Sequence, residues 1–217
     1  MLKADLHIHS EYSMDCDTPL EKIIERCQKL GINCIAIADH GTAEGALKMQ
    51  EIAPFPVIVA EEILTPHGEI MGMFLRKTIP SGLSVEETVK EIKAQGGLVN
   101  IPHPFDTVRP SALHRKTVKE IIAKIDIIEV FNSRNILLRN IKEAQAFAEK
   151  HGIVKSAGSD AHTIQEIGNA YIEMPEFNGR DDFLQALAQG KVCGRRTNPL
   201  IHFNSGWARL KSNLKKV

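Results

Sequence analysis

Short continuous apolar runs alternate along the chain with stretches in which apolar residues recur every three or four positions. The first pattern predicts buried strands, the second amphipathic helices. Residues 2–8 read as the first strand. Thr18-Pro19-Leu20-Glu21 reads as a helix start, with Thr18 as cap, Pro19 at the first helical position and Glu21 three residues after the cap. Ile23, Ile24, Cys27 and Leu30 mark its apolar face, and Gly31 ends it. A strand at 33–38 and a helix near 43–52 follow, broken by Pro54-Phe55-Pro56. Strand 57–63 and strand 70–75, joined by the turn chemistry of Thr65-Pro66-His67-Gly68, predict a hairpin.

Ser84 and Glu87 form a second capping-box pattern, with Val85, Thr88, Val89 and Ile92 at helical spacing and Gly96-Gly97 as the stop. Strands at 98–101, 127–131, 154–157 and 170–174 then alternate with helices at 117–124, 136–151 and 181–189. This α/β alternation predicts mostly parallel strands with right-handed crossovers, and about seven such units predict a closed or nearly closed barrel. No linker, repeat or shift of composition divides the chain, so residues 1–217 read as a single domain, with 200–217 as a peripheral tail. Arg209, Lys211, Lys215 and Lys216, with no acid among residues 207–217, give that tail the look of a solvated terminal helix.

The length of 217 residues suits one domain able to bury its own core. Lys plus Arg and Asp plus Glu both number 27, so no bulk electrostatic hold on long nucleic acid or an anionic membrane is expected. The start carries no signal-peptide pattern, and no apolar run approaches the roughly 18 residues of a membrane span. Cys16, Cys27, Cys34 and Cys193 show no paired spacing, which fits a reducing, cytoplasmic setting.

The histidines change the picture. In a parallel barrel, chemistry collects where strands end. The first strand ends in Asp5-Leu6-His7-Ile8-His9, and strand alternation predicts that Asp5, His7 and His9 share a face. Two imidazoles at that spacing can reach one cation, as Zn²⁺, Fe or Mn²⁺ would accept. Other strands end in Asp39-His40, Glu61-Glu62, Pro102-His103-Pro104 and Asp160-Ala161-His162. Each alone reads equally as a hydrogen-bonded surface or core residue; together, at successive strand ends, they read as a metal site. His114, His151 and His202 look like ordinary surface or capping histidines.

In order along the chain, Asp5-Leu6-His7-Ile8-His9-Ser10, Ala38-Asp39-His40-Gly41, Ile101-Pro102-His103-Pro104 and Gly158-Ser159-Asp160-Ala161-His162 resemble the motifs of the PHP (polymerase and histidinol phosphatase) family of metal-dependent phosphoesterases. The resemblance implies a distorted seven-stranded (βα) barrel, TIM-like, with two or three divalent ions (Zn, Mn or Fe) at its mouth. By position it implies that His7 and His9 hold one metal with Asp160 and a bridging carboxylate, Glu62 or, as fallback, Glu61. His103 would bind a second with that bridge, and Asp15, His40 and His162 a third. Many relatives place another histidine after the hairpin; here Glu69 stands there, with His67 in the turn as the other choice. A carboxylate would favour Mn²⁺ or Fe over Zn²⁺. Asp39 would orient a ligand histidine or cap a helix.

The implied chemistry is hydrolysis of a small phosphate ester (a phosphomonoester, cyclic phosphodiester or nucleotide end) by a metal-bridging hydroxide, without a protein nucleophile. No Gly-x-Ser-x-Gly elbow, Walker loop or dinucleotide fingerprint points elsewhere. Arg134 and the pair Arg195-Arg196 are candidates to grip substrate phosphate. Two other readings stay open: an amidohydrolase-like hydrolase of C–N or C–O bonds, and a domain that binds metal without turnover.

Overall fold

The computed structural model describes residues 1–198. The expected basic tail, the 200–217 boundary and His202 lie outside the described residues. In chain order the elements are β1 (Leu2–Ile8), α1 (Leu20–Leu30), β2 (Cys34–Ile37), α2 (Glu44–Ile52), β3 (Val57–Thr65), β4 (Gly68–Met73), α3 (Val85–Ala94) and β5 (Leu98–Ile101). Then come α4 (Arg115–Glu120), β6 (Ile127–Asn132), α5 (Leu138–His151), β7 (Val154–Gly158), β8 (Ala170–Met174), α6 (Arg180–Ala188) and β9 (Lys191–Gly194).

The nine strands among the described residues form one sheet in the order β7-β6-β5-β4-β3-β2-β1-β8-β9. The alternation of strands and helices, and a barrel that nearly closes, are as expected; two features correct the expectation. The sheet has nine strands rather than seven, because β8 and β9 pair antiparallel beyond β1. Lys191–Gly194 is short and largely solvated, so no apolar run announces it. The ladders are also not mostly parallel. Of those named, β1–β2, β2–β3, β5–β6 and β6–β7 are parallel, and β3–β4, β4–β5, β1–β8 and β8–β9 antiparallel. The tight Thr65–Gly68 hairpin reverses the chain in mid-sheet.

Strand β1 is shared lengthwise. Its first residues, Leu2 to Ala4, pair with β8. Its end turns to the segment after β7: Asp160 N–H donates to His7 O at 2.7 Å, and His9 N–H to Ala161 O at 2.9 Å. Barrel closure and the converging histidines are therefore one event. Gly158 permits it, since a Cβ there would stand 2.2 Å from His7 Cβ.

Two apolar layers support this frame. Ile8, Ile35, Ile37, Val59 and Val99 pack under helical residues such as Ile23, Met49 and Ile92. A second cluster joins Ala4, Leu6, Ala36, Ala60, Met71, Leu98 and Ala157 around the strands and is plugged by Phe183 and Leu187 of α6, as only an inward face allows. The Ser84–Glu87 capping box forms as expected. The Thr18 cap does not: Pro19 occupies the cap position without a side-chain bond, and Glu11 Oε1 accepts the Leu20 N–H instead. None of the four cysteines is paired. No helix among the described residues is long and apolar enough to cross a membrane.

Candidate metal centre

His7 of β1 and His9, just past its end, meet at the barrel mouth with Nε2 atoms 3.2 Å apart. Asp5 does not join them. The register of β1 against β2 slips between Asp5 and Ile8, and Asp5 accepts the backbone N–H groups of Ser159 and Gly168, each at 2.9 Å. An irregularity of this kind re-aims side chains against simple alternation. Burial pushes the Asp5 carboxyl up to about 6 despite those bonds.

Glu62 stands at the centre. Its oxygens lie 3.4 Å from His7 Nε2, 3.4 Å from His9 Nε2, 3.3 Å from His40 Nδ1 and 2.9 Å from His103 Nε2. Neighbouring Glu61 points elsewhere and accepts the Ile79 N–H; burial raises its carboxyl to about 7. Strand alternation explains why only one of the pair reaches the mouth. Asp160 Oδ1 adds 3.3 Å to His9 and 3.7 Å to His7. Glu69 enters from β4, at 3.4 Å from both His40 and His103. His67 stays exposed in the turn, its ring 5.6 Å from that of His114 and outside the cluster. On a third side, Asp15 lies 3.6 Å from His40 and 3.4 Å from His162.

Seven of these donors fall into three overlapping groups whose ligand atoms lie within 4.8 Å of one another: His7, His9 and Glu62; His40, Glu62 and Glu69; His9, Asp15, His40 and His162, with His103 and Asp160 beside them. His103 and Asp160 sit in positive-φ conformations of 32° and 54°. Both residues thus carry local backbone strain at the cluster, as functional sites often do.

A family model of the PHP domain matches residues 5–102, and a model of the PHP-associated region matches residues 139–192. An uncharacterized protein of Methanocaldococcus jannaschii is 37% identical over 180 residues, spanning 82% of this chain and 72% of that relative. The chain belongs to the PHP domain family. Its fold is shared by a two-domain protein from Bacteroides vulgatus containing a predicted PHP-like metal-dependent phosphoesterase (TM-score 0.71, 18% identity, 89% of this chain). This chain spans 65% of that protein, less than two thirds. An amidohydrolase from Chromobacterium violaceum, with bound sulfate and no metal, has the same fold (TM-score 0.63, 17% identity, 76% of this chain and 89% of that one).

The donor set of this PHP domain fits cations. Glu62 Oε2, Glu69 Oε2 and Asp160 Oδ1 are buried without a hydrogen-bond donor, while imidazole nitrogens face them. Buried polar atoms are almost always paired, and a cluster of bare carboxylate oxygens asks for positive charge. Within the cluster, burial raises but Arg109 and His7 more than offset, holding Asp160 well below the usual carboxylate range.

Three residues of the PHP site went unnoticed in the sequence. Glu129 accepts His7 Nδ1–H at 3.0 Å and the His103 backbone N–H at 2.6 Å. It therefore does what was expected of Asp39: it orients a ring whose other nitrogen faces the cluster. Asp39 instead accepts the Ser10 N–H at 2.6 Å and the Ser10 hydroxyl at 2.7 Å, fixing the turn after His9. It is not a helix cap either, since Ala43 precedes α2. Asn132 bonds both Glu129 and Asp160. Arg109 reaches Asp160 Oδ2 at 2.6 Å. A carboxylate inside the apolar run Ile127-Ile128-Glu129-Val130 was the one signal available; Arg109, in a loop, carried none.

Arg134 is 5% exposed, 2.6 Å from His162 Nδ1 and 3.3 Å from Glu166. That placement supports His162 rather than an incoming anion. Arg195 is exposed, its Nε donating to Asn169, and Arg196 donates to the Ile136 carbonyl.

A pH dependence follows for the metal-free protein. Burial pulls the His9 ring down, but Asp160 and Glu62 outweigh it and hold the ring at about 9, against an ordinary 6.5. A base raised in the folded state stabilises fully below pH 6.5 and loses that contribution as pH climbs to about 9. Thermal stability without metal is expected to fall across this window. With metal bound the fall should vanish, because a ligating imidazole no longer takes up the proton. Calorimetry at several pH values, with and without chelator, checks it; a level metal-free profile contradicts it.

Proposed function

We propose that this chain is a metal-dependent hydrolase of small phosphate esters, holding two or three divalent cations in the cluster. The observation that carries this reading is the convergence of bare, buried carboxylate oxygens on five histidines at one barrel mouth. His7, His9, Glu62 and Asp160 would hold one ion, Glu62, Glu69 and His103 a second, and Asp15, His40 and His162 a third. Cations bound there supply Lewis acidity and bring the pKa of a water toward neutrality.

The chain's own part is positional. Glu62 would serve both of the first two ions, Glu129 fixes the His7 ring, and Asp39 fixes the turn that follows His9. The carboxylates Glu62, Glu69, Asp15 and Asp160 harden the donor set, which favours Mn²⁺ or Fe over Zn²⁺. Arg195, exposed beside Arg196, would be the residue to contact a substrate phosphate. Equal numbers of acids and bases favour a small substrate over long nucleic acid. Four unpaired cysteines suit a cytoplasmic setting.

The test is a screen of metal-reconstituted protein against phosphomonoesters, cyclic phosphodiesters, nucleotide ends and amides, with ions counted by elemental analysis. Phosphate release dependent on Mn²⁺ or Fe, with amides untouched, is the expected result. Amide cleavage alone would replace this reading with the amidohydrolase one, and bound metal without any turnover would leave a binding domain.

A further inference from the structure

The loop between β5 and α4, residues 102–114, touches the cluster at three separate points. It begins with His103 itself. At its far end Ser111 O accepts the Glu69 N–H at 2.8 Å, and His114 N–H donates to His67 O at 2.9 Å, so the loop is stitched to the β3–β4 turn. Gly68 makes that stitch possible: a Cβ there would lie 2.5 Å from Leu113 Cα. In between, Asp106 accepts from Val108 N–H at 3.0 Å and from Asn140 Nδ2 at 3.1 Å, which ties the middle of the loop to α5. Arg109 is therefore delivered from a braced segment.

Its guanidinium is 18% exposed and donates to Asp160 Oδ2 at 2.6 Å. Asn132 Nδ2 donates to the same oxygen at 3.2 Å. The two donors lie on Oδ2, while Oδ1 is buried, has no donor, and faces His9 and His7. A carboxylate free to rotate could offer either oxygen, or both. Here one is occupied and the other is aimed.

The geometry points to Arg109 as a positioning residue that locks Asp160 to present a single oxygen, Oδ1, toward the ion that His7 and His9 would hold. This rests on the proposed metal binding and adds a residue to it. Partners behind a metal ligand set its orientation, and their loss typically weakens binding by about 10- to 100-fold. Direct repulsion between the guanidinium and a cation works in the opposite sense, so the sign of the effect is informative.

The experiment titrates metal-free wild type, Arg109→Met, Arg109→Lys and Asn132→Ala with Mn²⁺ by calorimetry, after circular dichroism confirms folding. Arg109→Met should bind one ion more weakly by about 10- to 100-fold while the others keep their affinity. Arg109→Lys, which keeps a cationic donor within reach, should recover part of that loss, and Asn132→Ala should lose less than Arg109→Met. Wild-type affinity in Arg109→Met, or tighter binding, overturns the inference and makes Arg109 a counter-cation that the metal displaces. Should Arg109→Met not fold, wild-type affinity in both Arg109→Lys and Asn132→Ala overturns it equally. Failure of the wild type itself to bind Mn²⁺, Fe²⁺ or Zn²⁺ would instead sink the proposed function.

Discussion

Replacing Glu62 with alanine is expected to lower turnover of the best substrate by about 10³-fold or more. Several kcal/mol of charge stabilisation come from a bound-metal pair, and each 1.4 kcal/mol or so is about tenfold in rate. Among the described residues Glu62 is the one acid within 3.4 Å of four imidazoles, so no other carboxylate there can take over its position between the proposed ions. Its burial opposes ionisation, yet the surrounding histidines hold it well below the usual range, ready to bind cations throughout the neutral pH region. The matched control is Glu61→Ala. That side chain is as buried but serves the Ile79 N–H, so its loss should cost stability and leave Mn²⁺ stoichiometry unchanged. Steady-state rates and metal counts on both variants decide the matter. If Glu62→Ala retained wild-type rate and metal content, the bridging role would be gone.

Gly158→Ala should be as damaging from outside the donor set. The added methyl would meet His7 Cβ at 2.2 Å, His7 N at 2.7 Å and His7 Cα at 2.9 Å. Backbone and Cβ atoms on a central strand cannot swing aside as a side-chain tip can. Overpacking a core usually costs about 1–3 kcal/mol, and this contact belongs at or above the top of that range. Relief by separating β7 from β1 would also part Asp160 and Ala161 from the strand to which they bond. Misplacing a reacting group by about 1 Å can cost about 10²-fold in rate. Urea unfolding and kinetics at saturating Mn²⁺ measure the two effects separately. An unchanged midpoint with full activity would show that the β1–β7 approach is looser than this structure has it.

Much of the architecture was legible because hydrophobic period is a local property. The strands at β1, β2, β5, β6 and β7, the hairpin at Thr65–Gly68 and the Ser84 box follow from runs of residues that bury or cap themselves wherever they sit. The Thr18 cap failed because Glu11, nine residues before Leu20, competes for the same N–H through a loop that sequence cannot fold. Asp5 leaves the face of His7 and His9 for a related reason: a register slip inside β1 breaks the two-residue alternation, and only pairing with β2 reveals it.

At the site, the sequence by itself determined which chemical groups were available: imidazoles and carboxylates at successive strand ends, in an order that resembles one family. The tertiary structure decided which of them meet. It chose Glu62 over Glu61 by the face of β3, and Glu69 over His67 by the reach of β4. It assigned ring orientation to Glu129 instead of Asp39, and brought Arg109 to Asp160 across 51 residues of chain. The physical reason is range. Period, capping and turn chemistry act between residues a few positions apart, whereas hydrogen bonds and Coulomb contacts at 3 Å act between whatever surfaces barrel closure presses together.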